Sequence, residues 1–388
     1  MKLHYLNHLY AKKAERLFII LILFGCLLSS CQHSPATSGV EEASNKTVDN
    51  MNIDNIPNGI TEEVTNNTQG IQDTSNTMPN TKPFEITRDG QTLVFTLFNK
   101  AGFYDLSDAF DTAVEEGFQT FHVIFKNNLA MEELELIRLF EENDDESLNI
   151  RIIFEGSDAQ PVEIRNVYFE INAGQVMFKN LVFADTELTQ PLLRAYFSHS
   201  VTFQSVTIAR QTVSSAQAPG RRQNNQQTSP LILLAADHTA KNAKISVLNT
   251  SFIQNHADML FYIDTDVPVS SLEWQQVNVL GNETSYGFSL NAANVQLQNV
   301  FIDENNCSVG IFHFSTGKPK ILIKDSFFNE THLIKFHHPQ GDRNTALKTK
   351  IKAQNLQVTS QTPVDSKLFE GSGIKKIDQI PETPSVIQ

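Results

Sequence analysis

Arg194, Tyr196, Tyr262, Asp264, Ser289, Asn291, His313, Lys335 and His337 share one parity of short segments in which bulky apolar residues alternate with polar ones. The segments are residues 192–198, 231–237, 259–264, 286–291, 310–315 and 332–337. Alternation of period two sends successive side chains to opposite faces of a strand. If the bulky apolar set faces a core, the polar set faces outward. The chemistry this set would suit is proton abstraction beside a carboxylate. A cation such as Arg194 offsets the carboxylate's charge and acidifies the neighbouring carbon, and His313 or Lys335 as base then removes the proton. His337-His338 stands outside any HExxH-like context, so no metal site and no cofactor are expected.

The elements that must position these residues are set by a repeat. Around a central residue n, apolar residues stand at n−4, n−2 and n+3, and usually at n+1. The pattern reads Val176-Met-Phe-Lys-Asn180-Leu-Val-Phe183, then returns around Ser205, Asn249, Gln276, Asn299, Asp325 and Asn355. Successive centres are 25, 44, 27, 23, 26 and 30 residues apart, which are solenoid periods once the 44 is read as carrying an insertion. Before n the alternation describes a strand with one buried face. At n the apolar parity slips by one, which demands a sharp bend, and Asn tolerates the left-handed backbone region where such a bend is cheap. Stacked coils then place the seven centres in one column about 4.8 Å apart, close enough for their side chains to hydrogen-bond as a ladder.

On these repeats the chain resembles the right-handed parallel β-helix, or pectin-lyase-like, family over roughly residues 90–368. The Asn or Thr about six places past several centres (Asn255, Asn282, Asn305, Thr331) is similar to that family as well. The resemblance implies three strands per coil, an Asn-type ladder at one corner, and a ligand groove along the first sheet. On that sheet Tyr262, Ser289, His313 and Lys335 fall on consecutive coils. No catalytic residue of the family's polygalacturonases, pectate lyases, alginate lyases or chondroitinase B has a recognisable counterpart here. A β-sandwich is disfavoured, since its hairpins would draw on more than 17 glycines in 388 residues. The fold class expected is all-β, a right-handed parallel β-helix solenoid over residues 83–370 with an N-terminal capping helix.

A solenoid must close its ends. Asp105 to Gly117 reads as a helix with Leu106, Ala109, Phe110 and Ala113 on one stripe, similar to the helix that covers the first coil in this family. Met131 to Glu142 reads as a second helix, with Leu136, Leu139 and Phe140 inward. The acidic run Glu141 to Glu146 reads as a solvated loop, because it has no calcium-loop spacing. The Gln-, Asn- and Ser-rich insertion between Ala209 and Pro230, with Arg221-Arg222, would overhang one groove edge.

Ahead of the repeat, Lys2, Lys12, Lys13 and Arg16 precede an apolar run from Leu17 to Leu28. About a dozen residues is too short to span a bilayer, which takes ~20, and suits a signal peptide of residues 1–30. Leu28-Ser29-Ser30-Cys31 resembles a lipobox, which implies cleavage before Cys31, acylation of its thiol and a lipid-bilayer anchor. Gln32 after the cysteine implies the outer membrane. Residues 31–82, rich in Ser, Thr, Asn and Pro, read as a lipidated, disordered tether, and residues 371–388 as a tail. With Cys26 removed and Cys31 acylated, Cys307 remains alone, so no disulfide is expected.

The chain carries a net charge of −14, and residues 1–30 carry +3, which leaves −17 on the mature part. So acidic a surface argues against nucleic acid as partner. The expectation is an envelope lipoprotein that presents a β-helix surface to a glycan or an envelope protein without catalysis. A lyase or hydrolase of uronate-containing glycans is the alternative.

Overall fold

The structure, a computed structural model, describes residues 82–139, 149–157, 160–214, 229–236, 242–265, 267–314, 319–330, 334–335, 351–364, 369–370 and 373–381. All of them belong to one compact unit, 75–388. The expected signal peptide and tether, Cys31, the run 141–146, Arg221-Arg222, Thr331 and His337-His338 lie outside the described residues.

The unit is a parallel β-solenoid of about 8 turns. Its second face stacks Thr92, Thr120, Arg151, Gln175, Ser200 and Lys244 in direct register across successive coils. Further on, Leu272, Val295, Ile321 and Ile351 continue that face. The seven centres Asn180, Ser205, Asn249, Gln276, Asn299, Asp325 and Asn355 all have φ between 48° and 56°. They are the corners at which the apolar parity slips. Their side chains are half-buried or exposed, and the one side-chain bond along this column among the described residues is Asn355 Nδ2 to Asp325 Oδ1, 3.0 Å. The hydrogen-bonded ladder stands elsewhere, in the column six places on.

In that second column Asn255 and Asn282 are buried and Asn305 half-buried. Asn255 Nδ2 donates to Asn282 Oδ1 at 2.9 Å, and Asn282 Nδ2 to Asn305 Oδ1 at 2.8 Å. Each amide also donates to a carbonyl of the preceding coil, those of Ile208, Phe252 and Val279. Beside it runs another file of positive-φ corners, Asp185, Arg210, Gln254, Gly281 and Glu304, five residues after their respective centres. A four-residue strand therefore lies between two left-handed corners in each of these coils.

In-register stacking puts like side chains over one another, and phenylalanine exploits it. Phe125, Phe154, Phe178 and Phe203 form a stacked file with centroid steps of 6.3, 5.1 and 5.6 Å, offset geometries that favour aromatic pairs. Trp274 continues the core, edge-on to Phe288 at 4.6 Å.

The helix Asp105–Glu115 buries Leu106, Ala109, Phe110 and Ala113, with Phe110 edge-on to Phe121 at 5.6 Å. Gly117, at φ 75°, follows its end. The expected second helix is instead the strand Leu129–Leu139, paired in parallel with residues 164–171. Its Glu and Leu residues favour a helix locally, but Leu129, Met131, Ile137 and Leu139 bury against the neighbouring coil, and that pairing overrides propensity. Two further departures lie at the ends. Phe84–Asp89 forms an antiparallel hairpin with Thr92–Leu97, turned at Gly90 with φ 57°. Ile374–Ile377 pairs with Leu356–Thr359, so the stack runs past residue 370 into the segment read as a tail.

Candidate functional site

The first face is built from the strand Leu129–Leu139, parts of Val162–Ala184 and Leu193–Ala209, and the strands Pro230–Ala236, His256–Thr265, Glu283–Leu290, Asn306–Phe314 and Ile334–Lys335. Its inward residues include Phe169, Phe261, Phe288 and Phe312, all at most 1% exposed. Pairing then lines up one row across the face: Arg138, Glu170, Arg194, Leu233, Tyr262, Ser289, His313 and Lys335. The sequence-predicted Tyr262, Ser289, His313 and Lys335 thus occupy consecutive strands, which span roughly 15 Å at strand spacing. Arg194 stands five strands from Lys335, roughly 24 Å away.

Within this row the charges pair locally. Glu170 Oε1 accepts from Arg194 Nη1 at 3.3 Å, and Glu170 Oε2 from Arg138 Nε at 3.3 Å. Arg194 therefore arrives already partnered by a carboxylate. Tyr262 donates its hydroxyl to Asp264 Oδ1 at 3.4 Å. Burial, and then the Asp264 carboxylate, push the pKa of that hydroxyl up. Ser289 Oγ and His313 Nδ1 are 3.0 Å apart, with the Tyr286 ring 5.6 Å from the imidazole.

Two expected groove residues are covered rather than presented. Ser289 is 2% exposed and Asn291 7%. Asn291 donates Nδ2 to Thr265 O at 2.6 Å and to Thr265 Oγ1 at 3.0 Å, pinning the strand end of the previous coil. Asp264 and Tyr196 are exposed, and Arg194, Tyr262 and His313 half-buried. Lys335 is placed by backbone pairing alone, and His337 lies outside the described residues.

Residues not singled out from sequence complete the face. Arg138 lies in a strand whose residues favour a helix, and Glu170 precedes the first recognisable centre, so neither carries a sequence signal. Tyr168 and Tyr286 belong here too: Tyr168 is outward by alternation between Val167 and Phe169, and Tyr286 lies beside His313. Tyr168, Tyr196, Tyr262 and Tyr286, four of the seven tyrosines in the chain, thus lie on this face, whereas the buried core uses phenylalanine. Where these strands begin there is an open concavity of about 460 Å³, lined by Thr212, Ser214, His256, Asp258, Glu283, Ser285 and Asn306 among others. Thr212, His256, Glu283 and Asn306 are in register there, with His256 Nδ1 3.2 Å from Glu283 Oε2.

Among the described residues no group of three or more His, Cys, Asp or Glu side chains could hold a metal ion, and no helix is long and apolar enough to cross a membrane. Compared with protein-family models, curated proteins and solved structures, the chain matches none.

Proposed function

We propose that this chain is a bacterial envelope lipoprotein, anchored through acylated Cys31, whose first face binds a polysaccharide without cleaving it. The observation that carries this reading is the gathering of Tyr168, Tyr196, Tyr262 and Tyr286 on one face. A tyrosine offers an apolar ring for the C–H face of a sugar and a hydroxyl for its polar rim, at low cost in side-chain entropy. Arg138, Glu170, Asp264 and His313 interleave with them and supply donors and acceptors along the same rows. A repeating ligand suits a repeating surface. The resemblance of the repeats to pectin-lyase-like β-helices, whose groove runs along this sheet, supports the same placement. The lipobox-like Leu28-Ser-Ser-Cys31 and the apolar run before it support the anchor.

Titration calorimetry of the purified protein against a panel of neutral, aminated and uronate polysaccharides tests the binding. Saturable heat that is lost in Tyr196→Ala and Tyr262→Ala is expected, and no heat with any polymer would overturn the reading. Metabolic labelling with a radioactive fatty acid tests the anchor, with label absent from Cys31→Ala.

The register of Ser289, His313 and Lys335 favours a second reading, a lyase acting on a uronate glycan. New double-bond absorbance on mixing with a polyuronate, abolished by His313→Ala, would select it. Against it stands the position of Arg194, roughly 24 Å from Lys335 at strand spacing and paired with Glu170, which keeps that guanidinium from offsetting a substrate carboxylate at His313.

A further inference from the structure

We propose that Glu330 is a proton-controlled latch on the last coils of the solenoid: protonated, it continues the amide ladder and holds residues 356–364 and 373–377 in the stack, and ionised, it loosens them. The column Asn255, Asn282, Asn305 obeys one rule. Asn282 Oδ1 and Asn305 Oδ1 each accept the main-chain N–H and the Nδ2 of the residue one coil earlier, and each Nδ2 in the column donates onward. The next place in the column is Glu330, 5% exposed, whose Oε1 accepts Asn305 Nδ2 at 2.8 Å and Asn305 N at 3.3 Å. One coil later Thr362 Oγ1 accepts Glu330 N at 3.1 Å and donates to Phe328 O at 3.2 Å.

An amide provides both an acceptor and a donor, and so does a protonated carboxyl. A carboxylate provides acceptors alone. Position 330 therefore satisfies the pattern of the column only with its proton on. The surroundings sharpen this requirement. From the preceding coil Asp303, 7% exposed, bears on Glu330 as a like charge while accepting Asn329 Nδ2 at 2.7 Å. From the strand Asn306–Phe314 comes the Cys307 thiol, and from the following coil the hydroxyls of Thr359 and Thr362, the first donating to Asn329 Oδ1 at 2.6 Å. Burial, with the charge of Asp303 added, outweighs the bonds from Asn305 and raises the Glu330 pKa to about 7.

The direction of the effect follows. A carboxyl raised in the closed coil, and ordinary at 4.5 once the coil opens, stabilises the closed state fully below pH 4.5. That stabilisation drains away as pH climbs to about 7 and changes no further beyond it. The loss falls on the last described coils, where Phe369–Glu370 and Ile374–Ile377 have one described neighbour instead of two, and the ends of such a stack open most readily.

Amide hydrogen exchange of the whole purified chain at pH 5.0 and 7.5, corrected for intrinsic rates, measures this opening. The readout is protection of 351–364 and 373–378 relative to 245–302. In the native protein that ratio should fall by roughly fiftyfold from pH 5.0 to 7.5, the drop a shift from 4.5 to about 7 implies. Glu330→Gln, which keeps an acceptor and adds a permanent donor, should hold the ratio high at both pH values. Asp303→Asn, an independent variant, should move the midpoint to lower pH. A ratio constant with pH in the native protein, or a fall that persists unchanged in Glu330→Gln, overturns the proposal.

Discussion

Asn282 hands its side-chain amide to Asn305 at 2.8 Å while its own oxygen takes two donors from Asn255, the main-chain N–H at 3.0 Å and Nδ2 at 2.9 Å. One side chain thus joins three coils. Asn282→Ala leaves Asn255 and the Phe252 carbonyl buried without these partners, and should cost ~2–4 kcal/mol in urea unfolding. Gln298→Ala, on the outer side of a strand, should stay within about 0.5 kcal/mol.

The corners make a separate prediction, since they act through the backbone and not through side-chain bonds. Asn249→Val forces a β-branched residue to φ 48° and should destabilise by ~1–2 kcal/mol. Gln276 holds φ 56° without the tolerance of Asn, so Gln276→Gly should stabilise by ~0.5–1 kcal/mol. Opposite signs in paired thermal melts are the expected result, and equal signs would remove the strain argument.

Gly287 and Gly90 separate crowding from conformation. A Cβ at Gly287 would lie 2.5 Å from the Ile311 carbonyl oxygen, a main-chain atom that cannot swing aside. Gly287→Ala should therefore cost roughly 1–3 kcal/mol and disturb the His313 strand, visible as a changed histidine resonance. At Gly90 nothing stands within 4 Å and only φ 57° opposes a side chain. Gly90→Ala should cost about 1 kcal/mol and leave that resonance in place.

Cys307 should be chemically silent in the folded protein. It is 5% exposed, and burial pushes its thiol up to about 11 despite the hydroxyl of Thr284 3.2 Å away. At pH 8 roughly one molecule in a thousand carries a thiolate. A disulfide reagent should label it only as fast as the protein unfolds, with labelling accelerated by urea. Rapid labelling in buffer alone would contradict the burial.

The first file of corners was legible because left-handed backbone selects residue types, and Asn recurs at its centres. The second file was not, because Arg210, Gln254 and Glu304 are not types that this conformation selects, and Asp185 alone does not mark a file. Arg210 is held there by what it touches: its Nη2 lies 2.9 Å from Asp185 Oδ2, one coil earlier. The ladder was displaced by six residues for a related reason. Spacing shows that a column exists, but burial decides which column bonds, and burial depends on the cross-section of the coil. On the first face, alternation placed Tyr262 and His313 correctly on one strand row, yet missed Glu170, the carboxylate that partners Arg194. That partner sits 24 residues away in the chain and meets Arg194 only through register. The strand Leu129–Leu139 was hidden by its glutamates, whose helical preference counts for less than a waiting neighbour.

The hairpin at Phe84–Asp89 bears on how these molecules behave when crowded. Every other described pairing in the stack is parallel, and a bare parallel edge would invite the next molecule to continue the pile end to end. The outermost described strand at this end instead runs the opposite way. It also carries Glu85, Arg88 and Asp89, exposed to water. A second molecule pairing with this strand meets reversed polarity and charge, which discourages end-to-end growth at this edge of the described stack.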